Sequence, residues 1–373
     1  VNDRATFGGA AILTVSLALM LIGLPLLGII ISGKALGPYL EFPPQTRYVR
    51  HAGFSWPWFA FFSAADLLLI GGLLWAVRCG RQNRPPSPAR NDSEGFFPWW
   101  GGAGLLLCLL AWFVAWKRLA GFWLVQPHTF LPIWAGFILF LNALSVKRSG
   151  SCLLLRRPLR FLLLFPASAG FWWFFEFLNR FVQNWFYVGV DSMGPAGYAY
   201  DASLSFATVL PGVLSMNDLL LTIPALGHGL AHCRPIRLPA SRWIPLAFLI
   251  MAGIGLSLIG LFPNQLFGLL WVAPLIIILS IQALAGGPTP LYPLSWGDWR
   301  PVVVPALAAL ICGFFWEMWN YFSLAHWTYS IPLVQRFHLF AMPILGYGGY
   351  LPFGLECLVV GGMVIGDLFT QRT

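Results

Sequence analysis

The sequence predicts an all-α polytopic membrane protein with about ten transmembrane helices, two parallel four-helix repeats preceded by two helices. Three observations predict it: apolar runs recur along the whole chain, charge is scarce, and two distant segments share an uncommon set of polar and aromatic residues. Of 373 residues, 58% are hydrophobic and only 9% are charged. Soluble globular proteins carry roughly 25% charged residues, so most of this chain sits in a solvent that needs no charge, and lipid is that solvent.

Each apolar run covers about 18 to 25 residues, enough to cross a hydrocarbon core of about 30 Å as a helix. The expected spans run from Gly8 to Ile31, Trp58 to Val77, Trp99 to Trp116, Phe130 to Val146, Phe161 to Val182 and Leu204 to Leu230. Four more run from Trp243 to Phe262, Leu266 to Leu284, Val302 to Phe322 and Leu351 to Phe369. No soluble domain remains once they are marked.

The basic residues follow membrane side. With the amino terminus inside, even-numbered helices end in the cytoplasm. The loops there carry Arg78, Arg81, Arg84 and Arg90, then Lys147, Arg148, Arg156, Arg157 and Arg160, then Arg234, Arg237 and Arg242. With Arg4, Arg300 and Arg372, fifteen of the 22 Lys and Arg lie on one side, as the positive-inside rule expects. Both termini are predicted cytoplasmic, in a multi-pass protein of a bacterial inner membrane. The net charge of +9 therefore reflects orientation, and no nucleic-acid partner is expected. The first span lacks a small-residue cleavage site and reads as a retained helix. Cys79, Cys108, Cys152, Cys233, Cys312 and Cys357 show no paired spacing, so they specify neither a disulfide framework nor a zinc site.

The stretch Arg78 to Gly95, RCGRQNRPPSPARNDSEG, is polar and Pro-rich, the composition of a solvated linker. It closes a leading unit, residues 1–96, whose loop from Ser32 to Pro57 is aromatic enough to be ordered. Residues 97–235 and 236–373 then form the two repeats. EFLNRFVQNWFY from Glu176 aligns with EMWNYFSLAHWTY from Glu317: Glu176, Asn179, Phe181, Trp185 and Tyr187 match Glu317, Asn320, Phe322, Trp327 and Tyr329. The preceding helices align as well, Trp134 to Leu144 with Trp271 to Leu284. Both units begin inside and run outward, so they are parallel repeats about an axis near the membrane normal.

An ionised carboxylate at the bilayer centre costs about 2.5 kcal/mol or more, which makes intramembrane acids candidates for function. Asp66, Glu176, Asp218, Glu317 and Glu356 are such acids, and counting from the expected helix ends places all five in the outer half of the membrane. Asn179 and Asn320 follow their acids at i+3, on the same helical face, where an amide can donate to a carboxylate or coordinate a ligand oxygen. The alternative is that the Glu and Asn side chains bond between the repeats and fix helix packing. Downstream of each acidic helix comes an aromatic turn, Trp185 and Tyr187 or Trp327 and Tyr329, and then a Pro-to-acid element. That element is Pro211 to Asp218 in the first unit and LPFGLE, Pro352 to Glu356, in the second.

His228 and His232 stand at i, i+4 in HGLAH, a spacing that can hold a metal on a helix. No acid accompanies them and the second repeat has no equivalent pair, so solvated interfacial histidines are the competing reading. His51, His326 and His338 fall in expected outer loops and read as polar surface. The 19 Trp, 32 Phe and 10 Tyr exceed what interfacial belts need. They either pack a Phe-rich bundle or line a slot for an elongated lipophile such as a carotenoid, quinone or prenyl lipid. No Walker loop, dinucleotide fingerprint or haem-attachment motif occurs, which leaves a non-covalent pigment, quinone or lipid as the cofactor to consider.

Two tandem units, each with an acid on a helix, an aromatic turn and a Pro-then-acid element, resemble the duplicated lycopene cyclase domain of the heterodimeric and fungal-type carotenoid cyclases. The family's hallmark is Pro, one apolar residue and two consecutive acids. Here three residues separate Pro352 from Glu356, and Pro211 and Asp218 lie farther apart. The chain is also similar to bacterial membrane proteins with FEFLN-like and LPFGLE-like segments. The cyclase resemblance implies proton-driven isomerisation of a polyene, with Glu317 and Glu356 as acid and base and Glu176 and Asp218 as their counterparts. Three expectations follow: a protein binding an isoprenoid-like lipophile at the repeat interface, with or without acid–base chemistry; a non-catalytic subunit scaffolding a larger membrane complex; or a transporter or proton pathway using the paired acids.

Overall fold

The computed structural model describes residues 15–44, 47–83 and 95–366, and helix accounts for 71% of it. The main helices are α1 (Val15–Ile31), α2 (Trp56–Gln82), α3 (Trp99–Trp116), α4 (Phe130–Ser149), α5 (Pro158–Val182), α6 (Gly194–Phe206), α7 (Val209–Leu221), α8 (Trp243–Leu258), α9 (Ala273–Leu284), α10 (Arg300–Tyr321) and α11 (Tyr350–Ile365). Among the described residues, seven helical runs are long and apolar enough to cross a membrane: α2, α3, α4, α5, α10, the run Asp191–Leu221 and the run Ile344–Ile365. The bent pair Pro263–Trp271 and Ala273–Leu284 makes an eighth if taken as one span. The expected start of the first span at Gly8, the end of the last at Phe369, residues 84–94 of the polar linker, and Arg4, Arg84, Arg90 and Arg372 lie outside the described residues.

Local chemistry explains most helix ends. α4 stops at Gly150, which adopts a left-handed conformation at φ 75°, a geometry glycine takes without a Cβ penalty. Pro158 opens α5, where its missing N–H costs nothing. Two expected spans are interrupted. The expected helix from Leu266 to Leu284 bends by 51° just before Pro274, which lacks the N–H that would continue the ladder. The expected helix from Leu204 to Leu230 breaks between Phe206 and Val209 and ends at Leu221. Ile223 is extended at φ −82°, ψ 120°, as a residue before proline prefers, and Pro224 opens a separate short turn.

Close helix contacts follow small residues, because backbones approach where no side chain intervenes. α3 presents Gly101, Gly104, Cys108, Ala111 and Ala115 on one buried stripe and packs along α4. A Cβ on Gly104 would lie 2.7 Å from the Gly136 carbonyl oxygen, and one on Gly136 would lie 2.7 Å from the Cys108 nitrogen. In the centre, packing crosses between the two halves of the chain: α7 lies on α10, and α11 lies on α5 as well as on α10.

Two short strands, β1 (Trp185–Val188) and β2 (His326–Tyr329), form an antiparallel ribbon, with Trp185 opposite Tyr329, Phe186 opposite Thr328 and Tyr187 opposite Trp327. A second two-stranded pair, β3 (His338–Leu339) and β4 (Met342–Pro343), precedes α11. The loop before α2 is tied to the ribbon end: the Ser330 hydroxyl donates to the Val49 carbonyl at 2.6 Å, and the His51 Nε2 lies 3.1 Å from the Gln183 carbonyl.

The α3–α4 contact makes a direct prediction. Gly104→Leu should destabilise the detergent-solubilised protein by about 1–3 kcal/mol through overpacking. Gly102→Leu, whose Cβ would meet nothing within 4 Å, should stay within about 0.5 kcal/mol of wild type. Thermal unfolding of both variants checks the contrast, and equal losses would contradict it.

Candidate functional site

α5 and α10 each carry a glutamate in their last turns before a strand. Glu176 and Glu317 are both fully buried, at 0% exposure. A carboxylate taken from water must find donors in the protein, and each of these finds three on one oxygen. Glu176 Oε1 accepts from Trp172 Nε1 at 3.0 Å, Trp185 Nε1 at 2.9 Å and the Tyr187 hydroxyl at 2.6 Å. Glu317 Oε1 accepts from Trp327 Nε1 at 3.3 Å, the Tyr329 hydroxyl at 2.6 Å and the Tyr350 hydroxyl at 3.1 Å. Among the described residues, Oε2 of each glutamate has no protein hydrogen-bond partner.

The strand residues reach the acids because alternation puts Trp185 and Tyr187, and Trp327 and Tyr329, on one ribbon face. Burial, with the neighbouring carboxylate second, holds the Tyr187 and Tyr329 hydroxyls well above the ordinary phenol range. Both therefore stay protonated and donate.

The asparagines hold the strands in place. Asn179 accepts from the Asn184 backbone N–H at 2.8 Å and donates to the Trp185 carbonyl at 2.8 Å. Asn320 accepts from the Trp327 N–H at 2.8 Å and donates to the Trp327 carbonyl at 2.7 Å. In each case the amide bridges the end of a helix to the strand that folds back beneath it. Both amides are engaged with backbone within the protein, where they position the tryptophans.

The third donor differs between the halves. Four residues before Glu176 stands Trp172, one turn away on the same face. Four residues before Glu317 stands Gly313, and a Cβ there would overlap the Tyr350 ring. The missing side chain makes room for Tyr350, which donates to Glu317 in its stead. Neither Trp172 nor Tyr350 was apparent as a site residue from sequence. The i, i+4 spacing of Trp172 and Glu176 was the available signal, while nothing local connects Tyr350 to Glu317.

Beside the ribbon lies a cavity of about 120 Å³. Its wall includes Glu317, the ribbon residues Trp185, Tyr187, Trp327 and Tyr329, and the further aromatic residues Trp172, Trp271, Trp316, Tyr198 and Tyr350. The rings interlock across the two halves: Trp271 stacks on Phe175 at 5.2 Å between centroids, and Trp134 lies 4.9 Å from Trp316. Among the described residues, no Lys or Arg lines the cavity. His326, expected as loop surface, belongs to β2 and to this wall.

The other acids stand apart. Asp218 was expected in the outer half with the rest, but α7 ends at Leu221, so Asp218 lies near that helix's terminus. There it pairs with Arg156 and accepts from the Leu153 N–H at 2.9 Å, capping a short helical turn. Glu356 is fully buried in α11 and lies outside the cavity wall. Asp66 on α2 abuts Gly348, where a Cβ would meet its carboxylate. His228 and His232 are exposed and separated by the break into a 3-10 turn, so the helical i, i+4 geometry that a shared metal needs is absent. No cluster of three metal-ligating side chains occurs among the described residues.

Replacing Asn179 or Asn320 by Leu should cost about 1–3 kcal/mol each by unpairing buried backbone groups. Because both clamps support one ribbon, the double variant should cost less than the sum. Thermal unfolding of the single and double variants tests this, and strict additivity would argue that the strands are held independently. Comparison of the chain with protein-family models, curated proteins and solved structures finds no match in any of the three.

Proposed function

We propose that the chain is an integral membrane protein that binds one end of a lipophilic, isoprenoid-like ligand between its two halves. The observation that carries this reading is the aromatic-walled cavity at which a fully buried carboxylate keeps one oxygen without a protein partner. Pockets of this kind, mostly apolar with a few placed polar groups, are the usual form of small-molecule sites. The setting is a bacterial inner membrane, with ten spans once α1, α8 and the bent α9 segment are counted as crossings, and both termini are cytoplasmic.

What supports two related units is the ribbon. An antiparallel strand pair has a local two-fold axis, and here it pairs Phe186 with Thr328, at corresponding places in the two segments that align by sequence. The hydrogen bonds of Glu176 and Asn179 recur at Glu317 and Asn320. An axis through the ribbon, near the membrane normal, relates the halves.

Acid–base chemistry would fall to Glu317, the fully buried acid of the cavity wall, which Asp201 also lines. A proton held on its free oxygen would pass to a polyene double bond, the surrounding ring faces would stabilise the resulting cation, and the Glu317 carboxylate so formed would take a proton back from a neighbouring carbon, leaving the double bond shifted and the acid regenerated. Glu356 and Asp218, outside the wall, would take no direct part.

The protein purified in mild detergent from its native membrane should retain a prenyl lipid, quinone or carotenoid at about one equivalent, by organic extraction and mass spectrometry. Extracts holding only bulk phospholipid would overturn the reading. Transport is the second reading, favoured by the 51° bend beside the site, since discontinuous helices often frame transport sites. Flux in liposomes lost on Glu176→Gln and Glu317→Gln would favour it over ligand storage or conversion.

A further inference from the structure

Sequence spacing leaves the six cysteines unpaired, but the fold brings two of them together. Cys79 stands in the last turn of α2, between Arg78 and Arg81, and Cys233 follows the 3-10 turn Gly229–His232. The Cys233 thiol shares a hydrogen bond with the Cys79 thiol. One amide nitrogen, Asn83 Nδ2, lies 3.3 Å from Cys79 Sγ and 3.9 Å from Cys233 Sγ, and donates to the His232 carbonyl at 2.7 Å. Two sulfurs in hydrogen-bond contact need a shift of only about 1–2 Å to reach the S–S bond length of about 2.05 Å.

The backbones that carry the pair are held close. A Cβ on Gly229 would overlap the Gly80 carbonyl, and one on Gly80 would overlap the Ala225 carbonyl, so α2 meets the turn through glycine. The Cys233 N–H donates to the Gly297 carbonyl at 3.0 Å, which ties the same turn to the segment leading into α10. α2 depends on this junction, because only 6% of its apolar window is buried, the smallest share among the seven long spans. Exposure sets the pair apart from the other thiols. Cys79 is partly exposed, whereas Cys108, Cys152, Cys312 and Cys357 are at most 3% exposed. Burial, and after it the Cys79 thiol, push the Cys233 thiol up to about 12, so Cys233 stays protonated and the more exposed Cys79 meets an oxidant first.

We propose that Cys79 and Cys233 are a reversible redox pair, closing to a disulfide when a small-molecule disulfide of the glutathione type, RSSR, reaches Cys79. In the first step the Cys79 thiolate attacks one sulfur of RSSR, the RS–SR bond breaks, and the departing RS⁻ takes up the proton that Cys79 released. The product is a mixed disulfide, Cys79–S–SR. The Cys79 thiol is then gone, and with it one of the two causes that hold the proton on Cys233. In the second step the Cys233 sulfur attacks the Cys79 sulfur, the second RS⁻ leaves, and the Cys233 proton passes to it. Two protein thiols are oxidised and RSSR is reduced to two RSH. The new bond pins the end of α2 to the turn after α7. On the cytoplasmic side, where the proposed topology puts this end of α2, glutathione keeps thiols reduced, and the disulfide is the transient form.

The test uses the full chain in mild detergent, incubated with oxidised glutathione. Free thiols are then blocked with N-ethylmaleimide under denaturing conditions, and the peptides are read by mass spectrometry. Two of the six thiols should be lost, a peptide linked through Cys79 and Cys233 should appear without retained glutathione, and dithiothreitol should restore all six. Cys233→Ser should stop at the first step and keep one glutathione on Cys79. Cys79→Ser should leave Cys233 unmodified, since its own exposure is 5%. Six thiols persisting in the wild-type chain, as mere packing of the two side chains would leave them, would overturn the pair without recourse to any variant. Glutathione retained on Cys79 of the wild-type chain would overturn the role of Cys233, and a linked peptide joining other cysteines would overturn the assignment.

Discussion

The structure depends on keeping two glutamates out of water and lipid at once. Glu176 and Glu317 have no exposed surface, and among the described residues neither has a basic residue in hydrogen-bond contact. A carboxylate so placed persists only if the protein brings neutral donors to it. Helical backbone cannot do so, because its N–H groups are already engaged. The chain instead reverses after each acidic helix and returns a short strand whose alternating Trp and Tyr face the acid. Gln183, left-handed at φ 50°, makes the first reversal, and the Asn clamps hold both strands in register with the helices they leave.

That solution has a further consequence, since a lone strand leaves its own backbone groups unpaired. Within a membrane protein such groups must be satisfied internally. β1 and β2 satisfy each other, and in doing so they join the two halves of the chain. The interlocking rings repeat the connection beneath the ribbon, with Trp271 against Phe175 and Trp134 against Trp316. The crossed packing of α7 on α10 and α11 on α5 completes it. The cavity lies where these aromatic side chains converge without filling the space.

The two acids are not equivalent. At Glu176 the third donor comes from within its own helix, and Trp172 closes over the carboxylate. At Glu317 the corresponding position is Gly313, and the donor arrives from α11 as Tyr350. Only Glu317 contributes to the cavity wall. One half has therefore closed its acid and the other has left its acid facing a cavity, a difference carried by one glycine and one tyrosine.

Much of the fold was legible in one dimension. The spans Trp99–Trp116 and Phe130 onward, the scarcity of charge, and the matched Glu, Asn, Trp and Tyr of two distant segments all follow from residue type and spacing, because lipid punishes exposed polarity wherever it occurs. The end of α7 was not legible: Ile223 is extended before Pro224 and the helix stops at Leu221, short of the expected boundary, with Asp218 near its terminus. The histidine pair failed for the same reason, as its spacing has meaning only on a continuous helix. By itself, then, the sequence determined the helical membrane class and the residues worth watching. Only the tertiary structure decided that the asparagines clamp backbone, that Tyr350 replaces Trp172, and that Glu317 rather than Glu356 faces a cavity. Those outcomes turn on contacts between residues far apart in the chain, whose distances no local pattern encodes.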